Sequence, residues 1–368
     1  MQPLSSPARP VRFISELISG FGLRFNSPFF IRLRSWEYWP FAVVYAPVFV
    51  YWLWLSAKAR SFFFFTASNP GIETGGLLGE SKIDLLAQIS DEFKPKTLFF
   101  THGTSADKVI AQCNTNRLSF PVIAKPNAGE RGWRVDKLTT EAELRAYAEE
   151  SPIDFLVQGY VDEPLELGVF YYRFPGPHPV NQTEGIVSSI VQKEFLSIRG
   201  NGRDTIETLI RQNDRAILQL ATLQKLYGLR FGQVLPPGET MTLVSIGNHC
   251  RGTKFLNANH LITPELARVF DRISEPVAGF YYGRYDLRCR SVADLYAGKH
   301  IYVVELNGVG AEPAHIYQPG FSLWAGWRVL LQHWTVIYRI SRENHRQGVA
   351  YMTFQEIRRV WQRIQETR

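Results

Sequence analysis

The chain has 368 residues, enough to bury a substantial core and to form two or three lobes. Its three cysteines lie far apart without any CxxC spacing, which excludes a disulfide framework or a cysteine-based zinc site and favours a reducing, cytoplasmic setting. The net charge of +7 favours anionic partners such as nucleotides, phosphorylated substrates or acidic lipids. Nucleic acid is not expected, because the chain carries no helix-turn-helix, zinc or RNA-binding motif.

Residues 1–60 form a basic and aromatic segment. Five arginines precede its apolar run, against two acidic residues. The uncharged run, residues 41–55, is shorter than the ~20 residues that a spanning helix needs. Aromatic residues flank the run and Lys58 and Arg60 follow it, as at a lipid surface. We expect contact with an anionic membrane at its cytoplasmic face; the alternative is a helix or hairpin packed on the rest of the protein.

Residues 61–115 predict a small βαβ-like lobe. Residues 62–66 are a continuous apolar run typical of a buried strand, residues 81–89 have helical spacing, and Thr97–Phe100 predicts a second strand. The glycine-containing loop before the helix could approach a phosphate through its backbone amides. A plain turn, with Ser81 as the helix cap, fits its spacing better.

A lysine stands at the end of the strand predicted for residues 121–126. A glycine loop follows Lys125 and returns into another strand, so the backbone amides near Gly129 and Gly132 and the Lys125 ammonium group could bind the same phosphates. Most lysines are solvated, but the position beside the loop favours a binding role. Thr140 and Glu143 then form a capping box that predicts the helix Glu141–Glu150.

Two later strands carry hard oxygen donors. Residues two apart on a strand share a face, so Glu305 and Asn307 point the same way, as do Arg284 and Asp286. Two carboxylates and an amide oxygen suit Mg²⁺ that also holds nucleotide phosphates. A structural pairing of Asp286 with Arg288, on the same face, is the alternative.

The order of these motifs between residues 120 and about 313 resembles the ATP-grasp superfamily, in particular its D-alanine–D-alanine ligase-like and cyanophycin-synthetase-like carboxylate–amine ligases. The resemblance implies an α+β fold in which two lobes clasp ATP, within a domain of residues 116–345. The basic segment and the truncated lobe precede this domain, and a charged C-terminal helix, residues 346–368, follows it.

The resemblance also implies site residues. Lys125, Gly129 and Gly132 are expected to bind the ATP phosphates, Gln158, Tyr160 and Val161 to form the adenine hinge, and Glu166 to hold the ribose. Lys193 is expected to reach the γ-phosphate, Asp286, Glu305 and Asn307 to bind Mg²⁺, and Arg284 to steady an acyl phosphate.

One further segment resembles the family. Residues 198–207 are similar to the Gly-Asp-Gly-Lys-x-Thr segment of cyanophycin-synthetase-like domains, with Asn201 and Arg203 as departures. A glycine turn that caps a helix over residues 206–220 explains the same pattern equally well.

The implied activity is an ATP- and Mg²⁺-dependent ligase that joins a small-molecule or peptide-like carboxylate to an amine through an acyl phosphate. The loop after Asn307 differs from that of D-alanine ligases, so D-alanine is not the expected substrate, and the family's first phosphate-binding lysine has no recognised counterpart. Candidate substrate residues are Arg251, Glu312 and His315. A kinase of the same fold and a non-catalytic membrane-surface protein remain alternatives, and the oligomeric state is open.

Overall fold

The computed structural model describes residues 27–129, 132–176, 185–244, 247 and 252–366. The chain forms two compact units: one contains the chain up to Phe41 with Ser197–Met241, and the other contains Ala42–Leu196 with Thr242–Arg368. Both helices and antiparallel sheets are present, as the α+β prediction requires.

The elements are numbered here in chain order. The helices are α1 (Pro28–Arg34), α2 (Phe41–Ala59), α3 (Lys82–Gln88), α4 (Ala106–Thr115), α5 (Glu141–Glu150), α6 (Ile206–Gln212), α7 (Leu220–Tyr227), α8 (Pro264–Ser274), α9 (Val292–Ala297), α10 (Leu323–Arg346) and α11 (Phe354–Glu366). The strands are β1 (Thr97–Phe100), β2 (Val122–Pro126), β3 (Asp136–Leu138), β4 (Phe155–Gly159), β5 (Leu165–Arg173), β6 (Gly185–Glu194), β7 (Ser197–Arg199), β8 (Thr240–Thr242), β9 (Lys254–Asn257), β10 (Tyr282–Cys289) and β11 (Ile301–Asn307).

The first sheet has four antiparallel strands in the order β1-β4-β2-β3. Buried apolar side chains of α4 and α5, including Val109 and Leu144, share a core with the sheet residues Ala124 and Phe155. The predicted β2–β3 hairpin is confirmed, as is α5 with its reciprocal capping box between Thr140 and Glu143.

The second sheet has five antiparallel strands in the order β11-β10-β5-β6-β9. Helix α8 contributes Phe270 and Ile273 to the core on this sheet. The register places Asp286 directly opposite Glu305 and Arg284 directly opposite Asn307. Side chains of opposed residues in an antiparallel pair lie on the same face, so the predicted sharing of one face is confirmed.

Three predictions of local structure are wrong. The run expected as a strand over residues 62–66 instead leads into a 3-10 turn, Phe64–Ser68. Phe64 is buried there against Trp334 and Tyr338 of α10, so the aromatic rings of a helix, rather than a neighbouring strand, provide the apolar partner. Strand β1 pairs with β4 of the first sheet, and the expected βαβ-like lobe therefore does not form.

The helix expected over residues 206–220 also ends early, at Gln212. Thr205 caps its start, as the turn interpretation predicted. At its end the Asn213 side chain accepts hydrogen bonds from the backbone amides of Arg215 and Ala216, at 3.0 and 3.1 Å. Such a local side-chain bond competes with the helical ladder, which explains the break.

The smaller unit is held by a buried ion pair. Arg215 donates to Glu37 at 2.7 Å, and both side chains are almost fully buried. Arg34 pairs with Asp214 nearby. Burial raises the pKa of Tyr38 to about 12, and its ring contacts the Arg215 guanidinium.

Helix α2 is, among the described helices, the one long and apolar enough to cross a membrane. Length and composition alone are a weak indication, because buried helices of soluble proteins share them. Pro47 lies inside this helix, and its buried residues include Val44, Val48 and Leu55.

A glycine turn holds the loop that follows β11. The carbonyl oxygens of Gly75 and Gly76 accept hydrogen bonds from the amides of Val309 and Gly310, at 3.0 and 2.8 Å. Gly76 has φ +80°, and a Cβ there would lie 2.6 Å from the Gly308 Cα. The Gly75–Gly76 turn therefore positions the end of the candidate metal strand through close backbone packing.

We predict that Gly76→Ala destabilises the protein more than Gly103→Ala. Both glycines have positive φ, +80° and +79°, but a Cβ at Gly103 would have no atom within 4 Å. The strain of a left-handed alanine, about 1 kcal/mol, is common to both variants, while the backbone overlap at Gly76 adds about 1–3 kcal/mol more. Thermal unfolding of the two variants measures the difference. Equal losses would show that the close packing of Gly76 against Gly308 contributes nothing.

Candidate functional site

The candidate site is built on the adjoining ends of β10 and β11. Asp286 is buried, whereas the Glu305 side chain is 30% exposed, so one carboxylate is held within the protein and the other is accessible. Asn307 is next along the same face, and its buried Nδ2 atom has no hydrogen-bond partner in the described part of the chain. A buried amide without a partner is unusual and marks a position where a ligand could bind.

Lys125 connects the first sheet to this strand pair. Its ammonium group donates to the carbonyl oxygen of Val304 at 2.8 Å and to Gln158 Oε1 at 3.0 Å. The ladder between β10 and β11 shifts register at this point, because Asp286 pairs with Glu305 but Leu287 pairs with Val303. Val304 is thus the extra residue of a β-bulge, and its carbonyl accepts from the lysine.

Burial lowers the pKa of Lys125 to about 8, with Glu305 and Asp286 acting in the opposite direction. An ammonium group in this position is costly to bury and gains from a nearby anion. The Gln158 side chain that accepts from Lys125 is itself fixed, since its Nε2 donates to Thr97 Oγ1 at 2.9 Å.

Asp286 lies between two cations. Arg284 binds both of its carboxylate oxygens, at 2.9 and 3.1 Å, and Lys193 Nζ lies 3.6 Å from Oδ2. Burial alone would raise the pKa of Asp286, but the positive charges of Arg284 and Lys193 outweigh it and lower that pKa. Burial would likewise lower the pKa of Lys193, yet Asp286 and Glu166 raise it. The two carboxylates therefore favour the charged, ammonium form of Lys193.

Glu166 is the second acid of this network. Arg288 donates to its Oε2 at 3.1 and 2.9 Å, and Lys193 lies 3.4 Å from its Oε1. Arg288 thus pairs with Glu166, where the sequence had suggested Asp286 as its structural partner. The same guanidinium donates to the Val161 carbonyl at 2.9 Å and to the Tyr160 hydroxyl at 3.3 Å, which fixes the predicted hinge beside the acid.

Lys82 is a site residue that the sequence did not reveal. It is buried, donates to the Gly129 carbonyl at 2.8 Å and lies 3.5 Å from Glu305 Oε1. Asn127 positions it, because the Asn127 carbonyl accepts from the Lys82 amide at 3.2 Å and its side chain accepts from Ile83 at 3.0 Å. In the sequence, the loop that ends at Lys82 could approach a phosphate, but a plain turn capped by Ser81 fitted its spacing better, so Lys82 was not predicted as a site residue.

The remaining predicted residues lie around this cluster. Gly129 has φ +159° and Gly132 has φ +72°, at either side of two residues that the structure does not describe. Tyr160 is flanked by two cations: Lys137 Nζ lies 3.6 Å from its ring centroid and the Arg288 guanidinium 5.2 Å.

The three candidate substrate residues differ in their surroundings. Glu312 adjoins the cluster, since its backbone carbonyl accepts from Arg284 at 3.2 Å and its carboxylate accepts from the Tyr317 hydroxyl at 2.6 Å. Burial raises the pKa of Glu312 to about 7. His315 is buried, its Nδ1 lies 2.7 Å from Ser189 Oγ, and burial lowers its pKa to about 4. Arg251 lies outside the described residues.

The cluster as a whole carries an excess of positive charge. Its members are the cations Lys82, Lys125, Lys193, Arg284 and Arg288 and the carboxylates Glu166, Asp286 and Glu305. A cleft with this balance attracts a polyanion. The carboxylates of Glu305 and Asp286 and the amide oxygen of Asn307, on one face of the strand pair, are of the ligand types that Mg²⁺ accepts, and Mg²⁺ usually carries phosphates as further ligands.

Comparisons with known proteins gave matches among solved structures alone. The chain matches no family model and no curated protein. It is similar to the D-alanine–D-alanine ligase of Bacillus anthracis complexed with ATP (13% identity, 72% of this chain and 65% of that chain, TM-score 0.37). A D-Ala:D-Ser ligase of Enterococcus faecalis (15%, 69% and 58%, TM-score 0.38) and a bifunctional glutathione synthetase of Pasteurella multocida (13%, 70% and 38%, TM-score 0.35) are also similar.

The ATP-grasp ligase PsnB is similar over 63% of this chain, with 15% identity and a TM-score of 0.33. The chain spans between 38% and 65% of the length of these solved chains. At this level of similarity, conclusions about chemistry depend on the side chains described above.

We predict that Glu166→Gln destabilises the protein by about 3 kcal/mol, because it removes a carboxylate from the buried cations Arg288 and Lys193. Glu194→Gln is the matched control: Glu194 pairs with Lys254 at the edge of the same sheet, where its side chain is 48% exposed. An exposed pair contributes no more than about 1 kcal/mol. Thermal unfolding without ligand compares the two variants, and an equally small loss in both would show that Glu166 is dispensable for the network.

Proposed function

We propose that the protein is an ATP- and Mg²⁺-dependent ligase that joins a carboxylate to an amine. The observation that carries the proposal is the convergence of Lys82, Lys125, Lys193 and Arg284 on the edge formed by Asp286 and Glu305. The ordered resemblance of the sequence to ATP-grasp ligases supports the same assignment, as does the presence of each of these side chains on a regular element beside the cleft.

The proposed nucleotide site uses the cations for the phosphates. Lys125 precedes the glycine loop and donates to Val304 of β11, while Lys82 donates to Gly129 within the loop. Lys193 approaches from β6 of the second sheet. Phosphate oxygens would replace the carboxylates as partners for some of these donors. Glu166 and the hinge residues Tyr160 and Val161 are assigned to the ribose and the adenine, with Arg288 holding them together.

The proposed reaction has two displacement steps. A carboxylate oxygen of the first substrate attacks the γ-phosphorus, a P–O bond forms, and the bond from that phosphorus to the β–γ bridging oxygen breaks to release ADP. The amine nitrogen then attacks the acyl carbon, and inorganic phosphate leaves with its electron pair. The chain needs no covalent nucleophile for this sequence, because positioning and electrostatic stabilisation carry phosphoryl transfer.

Mg²⁺ held by Asp286, Glu305 and Asn307 would supply charge neutralisation on the transferred phosphoryl group. We assign Arg284 to the acyl end of the reaction; its position on β10 and its contact with the Glu312 carbonyl, in the loop after β11, support this role. Burial raises the pKa of the Glu312 carboxyl to about 7. A carboxylate with this pKa is suited to accept a proton from the incoming amine.

Hydroxylamine trapping tests the reaction class. The full chain with Mg·ATP, a panel of small and peptide-like carboxylates and hydroxylamine should give an acyl hydroxamate and ADP. Glu305→Gln should give none while its thermal unfolding stays close to that of the unchanged protein, and Glu194→Gln should keep the activity. A phosphorylated substrate without hydroxamate would establish a kinase instead. Failure to bind Mg·ATP in calorimetry would refute a nucleotide-dependent enzyme.

We also predict that nucleotide affinity falls as the pH rises through about 8. Burial depresses the Lys125 pKa to that value, so the protein loses the Lys125 charge in the alkaline range, whereas bound phosphate requires the charged form. One pH unit above this pKa the dissociation constant should rise about tenfold. Calorimetry with Mg·ATP at about pH 7 and about pH 9 measures the change. Lys125→Arg should flatten the dependence, and an unchanged slope in that variant would assign it to another group.

A further inference from the structure

Helix α2 presents apolar side chains on both of its sides. Val44, Val48 and Leu55 face the core. Val43, Val50 and Leu53 lie on the opposite side and are 52%, 69% and 50% exposed. No charged residue occurs between Phe41 and Ala57. A helix that is apolar all round is normally covered on every side by protein or by lipid.

The inner side of α2 is fixed along α10. Trp327 Nε1 donates to the Val44 carbonyl at 2.7 Å, and the hydroxyls of Tyr51 and Thr335 are 2.8 Å apart. Further along, Lys58 Nζ lies 5.4 Å from the Tyr338 ring centroid. The contacts advance together along both helices, so α2 and α10 run side by side in the same direction.

Helix α10 carries a ridge of arginines. Arg328, Arg339, Arg342 and Arg346 are all exposed. Their spacing of eleven, three and four residues places them on one face of a helix with 3.6 residues per turn. The last three line a surface cavity together with Tyr338, the residue that Lys58 approaches. Cations therefore border the apolar face of α2.

The apolar surface continues beyond α2. Phe62, which follows the helix and is about half exposed, contacts both Trp52 and Phe354, at centroid distances of 5.9 and 5.8 Å. Phe354, at the start of α11, is 67% exposed. Large exposed aromatic side chains next to cations are typical of a surface that enters the interfacial region of a bilayer.

We propose that α2 and the arginine ridge dock this protein on an anionic lipid bilayer, with α2 lying in the plane of the membrane surface. Val43, Val50, Leu53 and Trp54 would enter the boundary between headgroups and acyl chains, and the ridge would bind lipid phosphates. A spanning arrangement is disfavoured, because it would either break the hydrogen bonds from α2 to α10 or carry exposed arginines into hydrocarbon.

Flotation of the full chain with preformed vesicles tests the proposal. Binding should be stronger to phosphatidylcholine mixed with phosphatidylglycerol than to phosphatidylcholine alone, and high salt should weaken it. Val50→Asp and Leu53→Asp should each reduce binding about tenfold or more, because a carboxylate would enter the apolar boundary. Arg346→Glu should reduce binding to the anionic vesicles at least about fivefold.

Matched controls exist on the same chain. Leu229 is a fully exposed leucine that belongs to none of the helices of this surface, so Leu229→Asp should bind like the unchanged protein. Arg268 forms an exposed pair with Glu265 three residues away, with the same side-chain exposure as Arg346 in its pair with Glu343, so Arg268→Glu should also have no effect.

Three outcomes of the vesicle-binding and oligomer measurements would overturn the proposal. The first is absence of binding to either kind of vesicle, and the second is equal binding of Val50→Asp and the unchanged protein. The third is a dimer that Val50→Asp converts to a monomer without any vesicle binding, which would make the face an interface between copies of the chain. Tryptophan quenching by lipids brominated near the headgroup should exceed quenching by lipids brominated near the bilayer centre. The reverse order would indicate a spanning helix and reject the in-plane arrangement.

Discussion

The bond from Lys125 to the carbonyl of Val304 is the interaction on which the candidate site depends. It joins the end of β2 in the first sheet to β11 in the second, at 2.8 Å. Val304 is the extra residue of a β-bulge opposite β10, so the lysine binds β11 where its ladder is irregular. Gln158 is the second acceptor of the ammonium group, which would be costly to bury with one partner. The bond at one irregular residue therefore joins the two sheets and places a cation beside Glu305.

The pKa values of two lysines at this junction, Lys125 and Lys193, are shifted in opposite directions. Lys125 is buried mainly among neutral acceptors, and its pKa falls to about 8. Lys193 is also buried, but two carboxylates surround it and its pKa rises. Among the residues that the structure describes, Lys125 thus has no anionic partner in contact, while Lys193 has two. A polyphosphate beside Lys125 would supply an anionic partner there, and its oxygens would take the place of a carboxylate at Lys193, so the two lysines would bind different parts of one ligand.

The sequence predicted the parts of the site that depend on strand periodicity, and missed those that depend on long-range contacts. Arg284, Asp286, Glu305 and Asn307 could be placed on one face because a strand alternates sides. Lys82 could not, because its approach to Glu305 depends on how Asn127 holds the start of α3. The pairing of Arg288 with Glu166 was missed for the same reason. The strand predicted for residues 62–66 was wrong because a continuous apolar run has no periodicity that separates a strand from other buried structure. Its aromatic partners lie on α10, far along the chain, and could not be recognised from the run itself.

The proposed membrane surface and the candidate active site share one packed core. His333 of α10 lies 2.9 Å from the hydroxyl of Tyr282, the first residue of β10, and its ring packs against Phe170 of β5. Arg284 follows Tyr282 by two residues on the same strand. Burial depresses the His333 pKa to about 3, so this contact keeps its neutral form across the physiological range. Because packed cores transmit displacement rather than absorb it, the proposed docking of α10 on a bilayer would fix the orientation of the strand that carries the site. Docking through α2 and α10 would accordingly hold the proposed cleft in a fixed orientation relative to the membrane.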